Sequence, residues 1–337
     1  MSNIQTWLEE VRSGKIKKAF PVLSFPCVHL LNVTVRELLF SSDLQAQGMK
    51  LVAEKCNSAA AVSMMDLSVE ADAFGCPVEI DDEEVPNVTG SIVATMEDIQ
   101  NLKVPPIEGN RVGIYVEALG KAKKMITDRP VFAGFIGPYS LAGRLRDVSE
   151  IMVDCYLDPD AIKLLLQKCT DFLIEYAKAY KAVGADGVFM AEPLAGLLPT
   201  ELAEEFSEPY VKQIVDAVQD ENFLVLYHNC GNNTIRMTES IYRTGCSAYH
   251  YGNAIDMKQM LEISPADVII MGNVDPAGEF CTGTPESIYK TTYELMEKCC
   301  PDHPNFVISS GCDIPPASTW ENIASFYQAV EDYYSQH

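Results

Sequence analysis

Val131-Phe-Ala-Gly-Phe-Ile136, Asp158-Pro-Asp-Ala-Ile-Lys-Leu-Leu-Leu-Gln-Lys-Cys-Thr-Asp-Phe-Leu-Ile-Glu-Tyr176 and Gly187-Val-Phe-Met-Ala191 follow one another along the chain, and their order decides the fold. The first and third are short, unbroken apolar runs, the pattern of strands buried on both faces. In the second, Asp158 can cap a helix and Pro159 suits its first position. Ile162, Leu165, Cys169, Phe172, Leu173 and Tyr176 then recur at helical spacing, and Gly184 stands where the helix should stop. Strand, helix and strand in this order make a parallel crossover unit.

Working outward, the runs Phe223–Tyr227, Ala248–Tyr251, Val268–Met271 and Phe306–Ser309 repeat the pattern, and Val22–Val28 and Ala59–Met65 precede it. Eight buried strands alternating with helices predict an α/β fold, a (β/α)8 TIM barrel, formed by residues 1–337 as a single domain. An open doubly wound sheet is the alternative. Residues 1–18 read as an N-terminal helical extension with Ile4, Trp7, Leu8 and Val11 on one face. Residues 75–105 are rich in proline and carry Asp81, Asp82, Glu83 and Glu84. They are expected to form an inserted excursion that partly covers the barrel mouth.

The 337 residues include 25 Lys and Arg against 48 Asp and Glu, a formal charge of −23. Nucleic acid and anionic membrane are thereby excluded as main partners, because phosphate contacts need a basic face. Eleven cysteines, an odd and irregularly spaced set, point to a reducing compartment rather than a disulfide framework. Lys15-Ile-Lys-Lys18 before the apolar run 19–31 imitates an export signal. Pro21, Pro26 and His29 inside the run argue against one, as does the lack of a small-residue cleavage site after it. No apolar segment reaches the roughly 18 residues of a membrane span. The expected location is the cytoplasm.

Chemistry collects after the strands. His228-Asn-Cys230-Gly231 follows the fifth run and Gly311-Cys312-Asp313 the eighth. In a barrel, the C-terminal strand ends build the active site, so His228, Cys230 and Cys312 are expected in one mouth. One imidazole and two thiolates suit a zinc ion that keeps a fourth position open. Two thiolates cancel the charge of the metal, which favours binding a thiol as a nucleophilic thiolate over activating water. By spacing alone the set is a weak signal. Cys299, Cys300 and His303 form a rival group, placed before the eighth run on the opposite face, and Cys246 reads as core. His29, Asp66, Glu192, Asn273 and Asp275 follow other strands. Each is open to three readings: a fourth ligand or substrate-positioning group, an acid or base, or a capped turn.

Gly137-Pro-Tyr-Ser-Leu-Ala142, Gly184-Ala-Asp-Gly187, Tyr227-His-Asn-Cys-Gly231, Gly272-Asn-Val-Asp-Pro276 and Gly311-Cys-Asp-Ile-Pro-Pro316 together resemble the uroporphyrinogen decarboxylase superfamily. Within it, the His-x-Cys with the later Gly-Cys is similar to the methylcobamide:coenzyme M methyltransferase branch. The superfamily resemblance spans roughly residues 15 to 335, and the three-residue match is what separates the branches. It implies catalytic Zn2+ on His228, Cys230 and Cys312, and methyl transfer from a methylated corrinoid (methylcobamide) to a small thiol such as coenzyme M. It also implies a separate corrinoid protein as partner. A tetrapyrrole decarboxylase is the alternative, since Asp66 in Met65-Asp-Leu67 resembles that branch's catalytic aspartate. The arginine-rich motif of decarboxylases is missing, however, and the chain has only eight arginines for a substrate with many carboxylates. Transfer to another acceptor such as tetrahydrofolate, and a non-catalytic zinc-storage or corrinoid-binding role, complete the alternatives.

Overall fold

The computed structural model describes residues 4–337, so the first three residues of the expected N-terminal extension lie outside the described residues. Its main sheet has seven parallel strands: β1 (Ala61–Val62), β2 (Val131–Ile136), β3 (Gly187–Ala191), β4 (Leu224–Asn229), β5 (Ala248–Tyr251), β6 (Ile270–Val274) and β7 (Phe306–Ser310). Each pairs with the next one in sequence, so the sheet winds in one direction as a barrel does. From β2 to β7 every strand residue is buried, which is why the sequence shows runs rather than alternation.

The expected first strand, Val22–Val28, does not form. Residues 17–24 are extended without a regular ladder, and Cys27–Leu31 is a short helix entered at Pro26. Proline is the physical reason: Pro21 has no N–H to give a ladder, and Pro26 already has helical φ and ψ. The segment still stands in the eighth position. Phe20 donates its N–H to Ile308 O of β7 at 3.0 Å, and Ala59, just before β1, donates to Ala19 O at 2.8 Å. Side chains replace missing main-chain bonds nearby, with Val22 N–H donating to Ser310 Oγ at 3.0 Å and Gly134 N–H to Ser63 Oγ at 2.9 Å.

Two cores follow from this winding. Inside the barrel, Val62, Phe132, Phe189, Leu226, Met271 and Val307 pack together with Phe20 and with the first helix, Ile4–Ser13. That helix buries the expected face, Ile4, Trp7, Leu8 and Val11, and the Trp7 indole donates to Ala59 O at 2.8 Å. It therefore plugs the end of the barrel where the strands begin. The outer core lies between sheet and helices. Its longest contributor is the helix Pro159–Ala182, capped by Asp158 and burying the six side chains expected from their spacing.

The excursion is a two-residue antiparallel ladder, Val78–Glu79 against Asn87–Val88, followed by the helix Met96–Asn101. It is strapped to the flank of the barrel. Arg36 pairs with Asp82 at 2.8 Å, Ile92 N–H donates to Leu145 O at 2.9 Å, and Lys168 Nζ donates to three carbonyls at the end of the short helix. Among the described residues no helix is long and apolar enough to cross a membrane.

Candidate metal centre

His228 and Asn229 are the last residues of β4, Cys230 follows them, and Cys312 lies two residues beyond β7. Closure of the sheet brings these two strand ends together. The ligand atoms of His228, Cys230 and Cys312 all lie within 4.8 Å of one another, and Cys312 Sγ is 3.5 Å from His228 Nε2. His228 is buried, while both thiols are half-buried.

Local chemistry sets each donor. Asn229 turns the chain after β4: its Nδ2 donates to Glu192 O at 2.9 Å, and its Oδ1 accepts from Gly231 N–H at 2.9 Å and from the Thr234 hydroxyl at 2.8 Å. Cys230 is thus carried on a turn tied back to its own strand. Gly252, after β5, allows the turn to seat. A Cβ there would lie 2.4 Å from that of Cys230, closer than two carbons can approach. The His228 ring stacks on Phe189 with centroids 6.1 Å apart, and its Nδ1 lies 2.8 Å from His250 Nδ1.

This donor set fits zinc. The neighbouring Cys312 lowers the pKa of Cys230, while Cys230 and burial push that of Cys312 up to about 12. The two thiols are thus pushed in opposite directions, and a cation between them would favour the thiolate form of both. Two thiolates and an imidazole gathered this closely could hold such a cation, with a fourth position left for a reacting group.

The structure does not bring Glu192, Asp66 or His29 into that group. Glu192 is buried and caps the helix Pro138–Arg146, whose own cap residue, Gly137, has no side chain. Glu192 Oε2 accepts from Tyr139 N–H at 3.1 Å, and Oε1 from Ser140 N–H and Oγ at 2.6 Å each. A side chain at position 137 would put its Cβ 2.1 Å from Glu192 Oε2, so glycine is required there. Burial raises the Glu192 pKa to about 7 against the pull of these donors. Asp66 is sealed under Arg111. His29 is exposed, with Nε2 2.7 Å from Pro316 O. Asn273 spends its amide on Gly252 O and Ile255 O, and Asp275 caps the next turn. Cys299 and Cys300 end a helix at the opposite face, and Cys246 is core.

Sequence reading missed His250 and Ser309. His250 is fully buried in β5, and its Nε2 lies 2.8 Å from Ser309 Oγ of β7. The signal was a histidine inside Ala248-Tyr-His-Tyr251, a run otherwise read only as apolar.

Comparison with known proteins adds independent findings. The sequence model of the family described as uroporphyrinogen decarboxylase (URO-D) matches residues 25–333. A methylcobamide:CoM methyltransferase from Methanosarcina acetivorans is 29% identical over 272 residues, covering 80% of this chain and 78% of its own. A uroporphyrinogen decarboxylase from Coxiella burnetii is 28% identical over 288 residues, covering 81% of this chain and 77% of its own. Among solved structures, a methyltransferase from Methanosarcina mazei matches with a TM-score of 0.85 at 22% identity, covering 98% of this chain and 99% of that one. The barrel is therefore a shared fold.

Proposed function

Because the chain belongs to the uroporphyrinogen decarboxylase family, we propose that it is an enzyme of the methyltransferase kind found within it. It moves a methyl group from a methylated corrinoid to a small thiol, with zinc held by His228, Cys230 and Cys312. The observation that carries this reading is the convergence of one imidazole nitrogen and two sulfurs within 4.8 Å at the strand ends. The methyltransferase relative from Methanosarcina acetivorans points to the same chemistry.

A zinc ion held by His228, Cys230 and Cys312 would supply a site that favours the thiolate form of an acceptor thiol while leaving its sulfur nucleophilic, because two cysteinates would neutralise the metal's charge. The chain's own residues do the rest. His228 and the two thiols fix where the acceptor sulfur sits, and Asn229 holds the Cys230 turn in place. Phe189 keeps water from the inner face of the His228 ring. Coenzyme M is the acceptor suggested by that relative's name, and a separate corrinoid protein is the partner that the sequence resemblance implies. A charge of −23 favours a partner whose docking face is basic.

Decarboxylation of a tetrapyrrole is the second reading, favoured by the Coxiella burnetii relative. It would need Asp66 free to meet a substrate, and both oxygens of that carboxylate are taken up inside the protein. The deciding measurement is zinc per chain, on protein purified without oxygen, for the wild type and for Cys312→Ser. Near-stoichiometric zinc that is lost in the variant, with demethylation of methylcobalamin by coenzyme M or another small thiol, supports the transferase. A wild type that takes up no zinc overturns it, and decarboxylation is then the reading to test.

A further inference from the structure

We propose that His250 is a positioning residue that fixes the tautomer of His228, placing the proton on Nδ1 and leaving a free lone pair on Nε2, where the sulfurs converge. Where it concerns metal, this inference rests on the zinc reading above. Where it concerns the proton, it does not.

The argument starts at a carbonyl. Phe20 O can only accept, and Ser309 Oγ lies 2.7 Å from it, so the single hydroxyl proton of Ser309 goes to Phe20 O. Ser309 Oγ is then left as an acceptor for its other neighbour, His250 Nε2, at 2.8 Å. His250 must therefore carry its proton on Nε2. Its Nδ1 is left with a lone pair and faces His228 Nδ1 at 2.8 Å. Two bare nitrogens would repel at that distance, and two N–H groups would clash, so His228 supplies the proton between them. What remains on His228 Nε2 is a lone pair, 3.5 Å from Cys312 Sγ. Each direction follows from the one before, and the chain begins at a group that cannot donate.

The fold makes this relay possible. His228 and His250 are directly opposite each other in the β4–β5 register, so their side chains project to the same side of the sheet. Phe189 packs against both rings, stacked on one and edge-on to the other. All four relay residues, Phe20, His228, His250 and Ser309, are almost wholly buried, so water does not compete for these bonds. A ligating histidine ordinarily gives its second N–H to a carboxylate, a carbonyl or water. Here the acceptor is a neutral imidazole, which orients the ring without adding a charge to a centre already neutral.

The test uses protein labelled with 15N-histidine, in which only five histidines report. In metal-free wild type, His228 is expected to show a protonated Nδ1 and a bare Nε2, and His250 the reverse. His250→Leu removes the acceptor, and zinc affinity, read by competition with a chromophoric chelator, is expected to fall about 10- to 100-fold. His250→Asn offers an oxygen close to the place of Nδ1 and is expected to restore affinity to within about threefold of wild type. A proton on His228 Nε2 overturns the proposal. So does a His250→Leu protein that holds zinc as tightly as wild type, or a His250→Asn protein as weak as His250→Leu. If wild type takes up no zinc, the zinc reading fails while the tautomer measurement still decides the role of His250. If His250→Leu does not fold, the wild-type spectrum and the Asn variant decide it.

Discussion

Arg111 seals Asp66. Its Nη1 donates to Asp66 Oδ2 at 2.7 Å, the Tyr115 hydroxyl reaches the same oxygen at 2.7 Å, and Ser68 holds Oδ1 with its N–H at 3.0 Å and its hydroxyl at 2.6 Å. The Asp66 side chain is fully buried and that of Arg111 is 5% exposed. Through these bonds the carboxylate ties the loop after β1 to the helix Arg111–Met125.

Removing one partner of such a pair leaves the other charged and buried. Asp66→Ala is therefore expected to cost roughly 3–5 kcal/mol, read as the midpoint of urea unfolding. Arg111 keeps the Ser68 hydroxyl at 3.0 Å and, as its one charged partner, Asp72 at 2.7 Å, which is itself 36% exposed. A loss below about 1 kcal/mol would show the pair to be idle and return Asp66 to the candidates for chemistry.

Glu70 gives a pH dependence. It is fully buried, its Oε1 accepts from Ile136 N–H at 3.0 Å, and burial pushes its pKa from the ordinary 4.5 up to about 8. The folded pKa is raised, so its contribution to stability is fully present below pH 4.5 and lost as pH rises towards 8. Relative to Glu70→Gln, the wild type should lose about 1.4 kcal/mol per pH unit across that window and level off above it. Urea unfolding of both proteins at several pH values reads the difference, and a constant difference refutes the assignment.

Trp7 joins the plug to the barrel, with its ring centroid 5.3 Å from that of Phe132 and 6.1 Å from that of Phe20. Trp7→Ala is expected to cost about 3–5 kcal/mol, the range for truncating a large buried aromatic. Zinc uptake should stay intact, because the donors sit at the other end of the strands. Thermal melting and metal content, measured together, check both halves.

Gly252 should show the opposite pattern. In Gly252→Ala the new methyl presses on Cys230 Cβ, so the turn that carries the thiol must shift. Overpacking of this kind costs about 1–3 kcal/mol in stability. The larger effect expected is on zinc, with affinity falling about tenfold or more when one ligand is displaced. Chelator competition checks this, and wild-type affinity would mean that the turn has slack.

What was legible in the sequence was whatever a local pattern encodes. The buried runs gave β2 to β7, and Asp158-Pro159 with its apolar stripe gave the long helix, because each needs only neighbours in the chain. Val22–Val28 misled because an apolar run looks the same whether or not its N–H groups can pair, and Pro21 and Pro26 decided against pairing. In the site, His228, Cys230 and Cys312 could be placed by the rule that strand ends share a mouth. Glu192 could not be read as a helix cap, since its partners Tyr139 and Ser140 lie more than fifty positions away. His250 was hidden for a similar reason: its role depends on the register between two strands, which no local pattern records.

Residues 19–22 form a wall of the barrel without a regular ladder, and Ser309 gives its hydroxyl proton to that segment's Phe20 carbonyl. The polar chain that starts at the donor cluster therefore ends on a stave without a regular ladder. If an ion fills the cluster, locking His228 would also steady His250, Ser309 and the seam behind them, so the two events are expected to be coupled. Amide exchange at Phe20 would then slow when metal arrives at atoms it never touches, so the integrity of the whole cylinder reports on its cargo.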